Sequence, residues 1–104
     1  MTKACFLVKN GKLYGFHIEG HSTKNAGDDQ GKALCAAVSS AAYMAANTIT
    51  EIIGDSARAD VRDGEMHFEA ECPSDGTVTV LKGLKLHLTE LSRQYGKRLV
   101  ITEV

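Results

Sequence analysis

The sequence predicts an α+β fold in which a mainly antiparallel sheet carries two helices on one face. Two dipeptides favoured in tight hairpin turns, Asn10-Gly11 and Asp63-Gly64, each lie between short runs that alternate with a period of two. A longer segment follows each hairpin, and its apolar residues recur at three- and four-residue spacing, as in an amphipathic helix. The predicted order is β-β-α-β-β-α-β, which lets every apolar stripe be buried.

The first hairpin is predicted over residues 4–20, around the Asn10-Gly11 turn. Because side chains alternate along a strand, one face of its second strand should meet the core and the other should face away from it. The core-facing set is Tyr14, Phe16 and Ile18. The opposite set is Gly15, His17 and Glu19.

Residues 21–32 contain two Gly and no large apolar side chain, so this segment is predicted to be a mobile loop. The first helix is predicted over residues 33–53, with Gly54 as its stop signal. Its apolar positions are Leu34, Val38, Ala41, Ala45, Ile49 and Ile52. The run of small residues over 36–46 fits either burial within the monomer or contact with a second subunit.

The second hairpin is predicted from two strands, residues 56–61 and 65–72, on either side of Arg62-Asp63-Gly64. One face of its second strand carries Met66, Phe68, Ala70 and Cys72, so Cys72 is expected in the core. After Pro73-Ser74-Asp75, which offers helix caps, apolar spacing predicts a second helix as far as Gly96. Residues 98–103 form the last predicted strand.

Length and composition favour one domain over residues 1–104 and exclude several classes of protein. The balance of 12 Lys+Arg against 13 Asp+Glu gives no overall charge for direct nucleic acid binding. No signal peptide is recognised, and no segment approaches the roughly 20 apolar residues of a membrane span, so a soluble, cytoplasmic protein is expected. Three cysteines without a CxxC pair fit neither a disulfide framework nor a four-ligand zinc site.

Cys35 and His21 are the candidate reactive residues. Cys35 lies at the predicted start of the first helix, where unpaired N–H groups and the helix dipole favour a thiolate. His21 ends the second strand, so the predicted loop connects the two residues and is able to bring imidazole and thiol together. Taken alone, a cysteine such as Cys35 is more often a small buried residue, and a histidine such as His21 is more often a solvated loop residue.

A metal site is not predicted. The pentapeptide His17-Ile18-Glu19-Gly20-His21 has the spacing of zinc-binding helices, but on a strand its two imidazoles are about 13 Å apart. No third ligand is evident in the sequence. His17 is therefore expected at the surface or at the rim of the site, and Cys5 is expected to be partly exposed.

Two segments resemble the signature of the ribosomal-processing cysteine protease family: Gly20-His21-Ser22, and Leu34-Cys35-Ala36-Ala37-Val38-Ser39. The resemblance implies a homodimer that removes a short N-terminal extension from the large-subunit ribosomal protein twenty-seven. It implies His21 as general base, Cys35 as nucleophile and Ser39, one helical turn later, as a supporting residue. No metal or cofactor is implied, and N–H groups near Ala36 are expected to stabilise the oxyanion.

The chain departs from that family in the segment before the cysteine, where the loop is somewhat longer and one residue differs. Many members have Asp three residues before the cysteine, where this sequence has Lys32. Asp28 or Asp29 would orient His21 only if the loop folds back, and each is otherwise a solvated charge. Two rival functions follow: an inactive ribosome-associated module that binds the same terminus, and a thiol redox sensor that needs no histidine.

Overall fold

The computed structural model describes residues 1–21 and 25–104. Its strands are β1 (Thr2–Lys9), β2 (Lys12–Glu19), β3 (Ala57–Arg62), β4 (Glu65–Ala70) and β5 (Leu99–Glu103). Its helices are α1 (Asp29–Asn47) and α2 (Asp75–Tyr95). The strands lie in the order β3-β4-β2-β1-β5, and only the β1–β5 pair is parallel. The predicted α+β class and element order are confirmed.

The first hairpin turns at Asn10-Gly11 as predicted, and both residues have positive φ, as a tight turn of this kind requires. One detail differs, because the register shifts between Leu7, which pairs with Gly15, and Val8, which pairs with Leu13. Tyr14 is thus an extra, bulged residue in β2. Leu13 occupies the core position that was predicted for Tyr14. The strict alternation used for the prediction holds only beyond this bulge.

The core forms where the sheet meets the helices. Phe6, Phe16 and Phe68 are register partners on three adjacent strands, and all three are fully buried. Neighbouring rings have centroids 6.3 and 5.4 Å apart. The helices complete the core with Leu34, Val38, Ala45, Leu81, Leu84 and Leu88. Burial of each larger side chain stabilises the fold by about 1.5–3 kcal/mol, which fixes the faces of β2 and α1.

Helix α1 begins four residues earlier than predicted, at Asp29 instead of Ala33. Asp28 caps it, because the Asp28 carboxylate accepts a hydrogen bond from the Gly31 nitrogen at 3.1 Å. Arg98 holds the same carboxylate, with Nη1 2.9 Å from both oxygens. The predicted loop of residues 21–32 therefore includes the first turn of a helix, and residues 22–24 lie outside the described residues.

The end of the first helix also differs from the prediction. Thr48–Ile53 forms a π-helical turn after α1, and the Gly54 nitrogen donates to the Ile49 carbonyl, five residues earlier. Ile49 remains buried, but the wider turn moves the apolar stripe by one residue. Ile53 packs against the core, whereas Ile52, predicted to be buried, is 81% exposed.

The continuous helical segment Asp29–Ile53 has the length and mean hydropathy of a membrane span. The expectation that no segment approaches this composition was therefore too strict. Its largest apolar residues, Leu34, Val38 and Ile49, pack in the core against the sheet and α2. These contacts account for its apolar character, so the segment is a core helix of this fold.

The second hairpin turns at Asp63-Gly64 as predicted, and α2 starts from a polar cluster that the sequence did not indicate. The Asp55 carboxylate accepts hydrogen bonds from the Ser74 nitrogen (2.9 Å), the Ser74 hydroxyl (2.8 Å) and the Thr77 hydroxyl (2.6 Å). These bonds, that of Thr77 foremost, lower the pKa of Asp55. Cys72 is exposed and not in the core, because β4 ends at Ala70.

Candidate active-site cleft

A cleft of about 330 Å³ opens between the end of β2, the β3–β4 turn and the middle of α1. Four of the predicted site residues line it: Gly20, His21, Cys35 and Ser39. The fold thus brings the imidazole and thiol, from either end of the predicted loop, to one cavity. Asp28 and Asp29 do not line it.

His21 is positioned by two glycines. A Cβ atom on Gly64 would lie only 2.6 Å from His21 Nε2, so the imidazole packs directly on the Gly64 backbone. The Gly20 nitrogen donates to the Gly64 carbonyl at 2.9 Å, which ties the end of β2 to the β3–β4 turn. Gly20 has a φ of 96°, and a Cβ there would meet the Met1 carbonyl oxygen at 2.3 Å. Neither position accepts a side chain without displacement of the histidine or its neighbours.

Cys35 faces the cleft from the body of α1. It is half-buried and lies six residues after Asp29, so it is not at the helix start as predicted. The helix dipole acts mainly within the first turn, and that argument for a thiolate at Cys35 therefore fails. The N–H of Ala36 is likewise inside the helical hydrogen-bond ladder, so the expectation that it stabilises an oxyanion is wrong.

Ser39 lies one helical turn after Cys35 and shares its helix face. The residue is exposed, and it lines the cleft together with Cys35. A serine hydroxyl is free to rotate and donates one hydrogen bond. Ser39 therefore offers a side-chain hydrogen-bond donor to the cleft.

The two candidate aspartates occupy other places. Asp28 is neither solvated nor in the cleft: its side chain is 10% exposed and is bound by Arg98 and the Gly31 nitrogen. Asp29 is exposed in the first turn of α1. Of the two alternatives for Asp28, a solvated charge or a residue that orients His21, the structure shows neither: Asp28 anchors the start of α1 to Arg98, in the segment before β5.

The cleft has a partly apolar wall that the sequence analysis did not identify. The wall consists of Ile18, Val38, Ala42, Tyr43, Val61 and Met66. Tyr43 is 44% exposed and Val61 49% exposed, so apolar surface is accessible beside the thiol and imidazole. Charged residues of the β3–β4 turn, Arg62 and Asp63, line the other side. This arrangement suits an extended peptide, which has both apolar side chains and a polar backbone.

Several of the residues missed from the sequence come from the second hairpin. Gly64 was recognised only as a turn residue, and Val61 and Met66 only as strand residues. Their place in the cleft depends on the pairing of β2 with β4, in which Ile18 faces Met66. His17, considered for the rim, does not line the cleft.

Several solved structures share the fold of this chain over its whole length. Two structures of the ribosomal processing protease Prp from S. aureus match with TM-scores of 0.84 and 0.87 over 100% of both chains, at 17% identity. One is in complex with a covalently linked product peptide and the other with a substrate peptide. SMU.848 from Streptococcus mutans matches with a TM-score of 0.80 and 20% identity, over 100% of this chain and 94% of that chain.

The particular family follows from the sequence itself. Residues 1–100 match the family model of the cysteine protease Prp, so the chain belongs to the Prp family. No curated protein shows significant sequence similarity to it. The resemblance seen in the His21 and Cys35 segments is thereby confirmed at the level of the family.

Proposed function

We propose that this protein is a cysteine endopeptidase that removes a short N-terminal extension from a large-subunit ribosomal protein. The observation that carries the proposal is the presence of His21 and Cys35 in one cleft of a chain of the Prp family. The peptide complexes of the S. aureus protease support a peptide as substrate. The apolar wall and the open shape of the cleft support an extended one.

In the proposed reaction His21 takes the thiol proton and the Cys35 sulfur attacks the scissile carbonyl carbon. The tetrahedral intermediate collapses as the C–N bond breaks, and His21 returns the proton to the leaving amine. Water then hydrolyses the thioester to release the second product, with His21 again as general base. Ser39 is the proposed donor to the carbonyl oxygen, in place of the backbone groups near Ala36.

In the proposed enzyme, Gly20 and Gly64 position the catalytic histidine. Gly64 leaves room for the imidazole above the turn, and Gly20 ties His21 to the same turn. His21 is held in this way by backbone packing, and no carboxylate of Asp28 or Asp29 is needed to orient it. We therefore assign its orientation to the β3–β4 turn.

The test is incubation of the purified protein with the ribosomal protein bearing its encoded extension, followed by mass measurement of the products. Cleavage at one bond by the wild type, lost in Cys35→Ala with unchanged thermal midpoint, is the expected result. Cys72→Ala is the matched control, because Cys72 is exposed and outside the cleft. Binding of the extension without cleavage by the wild type would favour the inactive binding module instead. Cleavage by Cys35→Ala would overturn the nucleophile.

We also propose a homodimer in the cytoplasm. The proposed subunit contact is a groove between α1 and α2 that is lined by small residues together with Met44, Val80, Leu84 and His87. Met44 is 62% exposed there. Met44→Lys is expected to yield monomers in sedimentation analysis. Exposed Leu86→Lys on α2, outside that groove, is the control.

The proposed cytoplasmic location is tested by cell fractionation.

A further inference from the structure

The sheet face that carries no helices has a cluster of imidazoles and carboxylates. His17 on β2 pairs in register with His67 on β4, and Glu19 pairs with Glu65. His17 Nε2 lies 3.5 Å from a Glu19 oxygen and 3.3 Å from a Glu65 oxygen. One ligand atom from each of these three residues lies within 4.8 Å of the other two. This cluster of His17, Glu19 and Glu65 is called the open-face triad.

The two separations between His17 and the glutamates of the open-face triad fit metal coordination. Tetrahedral zinc has bonds to nitrogen and oxygen of about 2.0–2.2 Å, which place ligand atoms roughly 3.3–3.6 Å apart. The two measured His17–carboxylate distances, 3.3 and 3.5 Å, fall in that interval. An ion placed between the three side chains would therefore need little rearrangement of His17.

A hydrogen-bonded chain of His67 and Glu69 lies behind His17. The Nδ1 atoms of His17 and His67 are 2.9 Å apart, so one must donate and the other accept. His67 Nε2 lies 3.1 Å from a Glu69 oxygen and donates to it. This bond is the main reason that the pKa of Glu69 is lowered. In the tautomer of His67 that donates from Nε2, its Nδ1 accepts, and the Nδ1 of His17 is then the donor.

With Nδ1 as the donor to His67, Nε2 is the nitrogen of His17 that faces the two carboxylates. This arrangement calls for a cation between the three groups, which is either a proton on Nε2 or a metal ion in its place. Within the described residues, the carboxylates of Glu19 and Glu65 lie within ion-pair distance of His17 alone, although Lys3 and Arg62 are their register partners. The open-face triad is therefore arranged around the position of a cation, with His67 and Glu69 behind His17 as an outer shell.

We propose that the open-face triad binds a divalent transition-metal ion of the Zn²⁺ class. His17 would bind through Nε2, and Glu19 and Glu65 would each bind through one carboxylate oxygen. An imidazole ligand favours Zn²⁺ over Mg²⁺ or Ca²⁺, which prefer oxygen ligands alone. Three protein ligands leave a fourth position for water. The side chains are 28%, 53% and 38% exposed, so the ion has access from solvent.

The proposed ion would link the strand ends that hold His21. Glu19 directly precedes Gly20 and His21, and Glu65 directly follows Gly64, on which the His21 ring packs. A bridge between Glu19 and Glu65 therefore fastens β2 to β4 next to the cleft. The site differs from the His17–His21 pair that the sequence analysis excluded on distance. Its third ligand comes from β4, through the register of the sheet.

The experiment is a titration with Zn²⁺ alone, monitored by calorimetry and by the thermal midpoint. A cysteine-free variant (Cys5→Ala, Cys35→Ser, Cys72→Ser) excludes binding by thiols, and far-UV circular dichroism checks its fold. Glu65→Gln is the ligand variant, and Glu71→Gln is its matched control, since Glu71 lies beyond β4 and outside the triad. If the cysteine-free chain does not fold, the same pair is compared in the wild type.

The proposal expects one Zn²⁺ per chain, a thermal midpoint that rises with Zn²⁺, and at least tenfold weaker binding in Glu65→Gln. His67→Phe should weaken binding about 10–100-fold, as loss of an outer-shell partner does. Absence of saturable binding, equal affinity in Glu65→Gln and Glu71→Gln, or equal affinity for Mg²⁺ would each overturn the site. No readout uses peptide cleavage, so the result stands apart from the proposed function.

Discussion

The two faces of the sheet differ although the same strands supply both. On the helix-covered face Phe16 and Phe68 stack with centroids 5.4 Å apart and are fully buried. The next residue along β2 and the preceding one along β4, His17 and His67, are partners on the open face, with Nδ1 atoms 2.9 Å apart. The register between β2 and β4 thus aligns two phenylalanines on one face and two histidines on the other.

The two faces therefore contribute differently to folding stability and to ligand binding. The covered face removes apolar surface from water, which is the main source of folding free energy. Exposed ion pairs of the open face contribute little to stability, so that face is free to carry binding groups. The cleft lies where the two meet: Ile18 and Met66 belong to the covered face, and His21 follows the end of β2.

The comparison predicts its largest effect for a pair of adjacent substitutions on β2. Phe16→Ala is expected to lower the free energy of unfolding by about 3–5 kcal/mol, because it empties a closed part of the core. His17→Ala is expected to change it by less than about 1 kcal/mol, as for most surface substitutions. Urea denaturation measures both. Equal losses would contradict the division of roles between the faces.

A smaller effect, on activity more than on stability, is expected for Gly64→Ala. The new Cβ would displace the His21 ring, and misplacement of a catalytic group by about 1 Å reduces turnover about 100-fold. The measurement is the rate of cleavage of the extension-bearing peptide at saturating substrate.

Gly11→Ala is the matched control for this change. Gly11 also has a positive φ, 76° against 73° for Gly64, but a Cβ at Gly11 meets no atom within 4 Å. Both variants should share the strain of a non-glycine residue, about 1–3 kcal/mol, and only Gly64→Ala should lose activity. Equal cleavage rates in the two variants would contradict the proposal that the β3–β4 turn orients His21.

The smallest effect concerns the polar cluster at the start of α2, within the helix layer. Ser74→Ala is expected to cost about 1 kcal/mol of stability through loss of the N-cap. Chemical denaturation at neutral pH measures it, with exposed Ser56→Ala, in the segment before β3, as control. A loss no greater than that of the control would show that the cap contributes nothing.

Asp55 makes this cluster sensitive to acid. Because folding lowers the pKa of Asp55, its contribution is present above the ordinary value of 3.8 and is lost as pH falls through the lowered pKa. Asp55→Asn should therefore be less stable than wild type at neutral pH, and the difference should shrink below pH 3.8. Thermal midpoints across this range test the sign. A difference that grows in acid would contradict it.

The element order and four cleft residues were predictable from the sequence, because the signals are local. Asn10-Gly11 and Asp63-Gly64 specify turns by their backbone preferences, and the helical stripes follow from apolar spacing. Gly20, His21, Cys35 and Ser39 were singled out from two short segments. Their common cleft did not follow from spacing alone.

Other features depend on long-range contacts that local patterns do not contain. Arg98 reaches Asp28 across 70 residues of sequence, which extends α1 to Asp29 and moves Cys35 away from the helix start. The bulge at Tyr14 and the π-helical turn after Asn47 each insert one residue into a regular period. The open-face triad needs the pairing of Glu19 with Glu65, two residues 46 positions apart.

The proposed function requires that His21 and Cys35 act as one catalytic unit, and a double-variant comparison tests this requirement. Single-turnover cleavage of the extension-bearing peptide should be compared among wild type, Cys35→Ser, His21→Ala and the double variant, each with its thermal midpoint. Each single change is expected to lose at least about 10²–10⁴-fold in rate, and the double change is expected to lose little more. Losses that multiply in the double variant, or near-wild-type cleavage by either single variant, would contradict it.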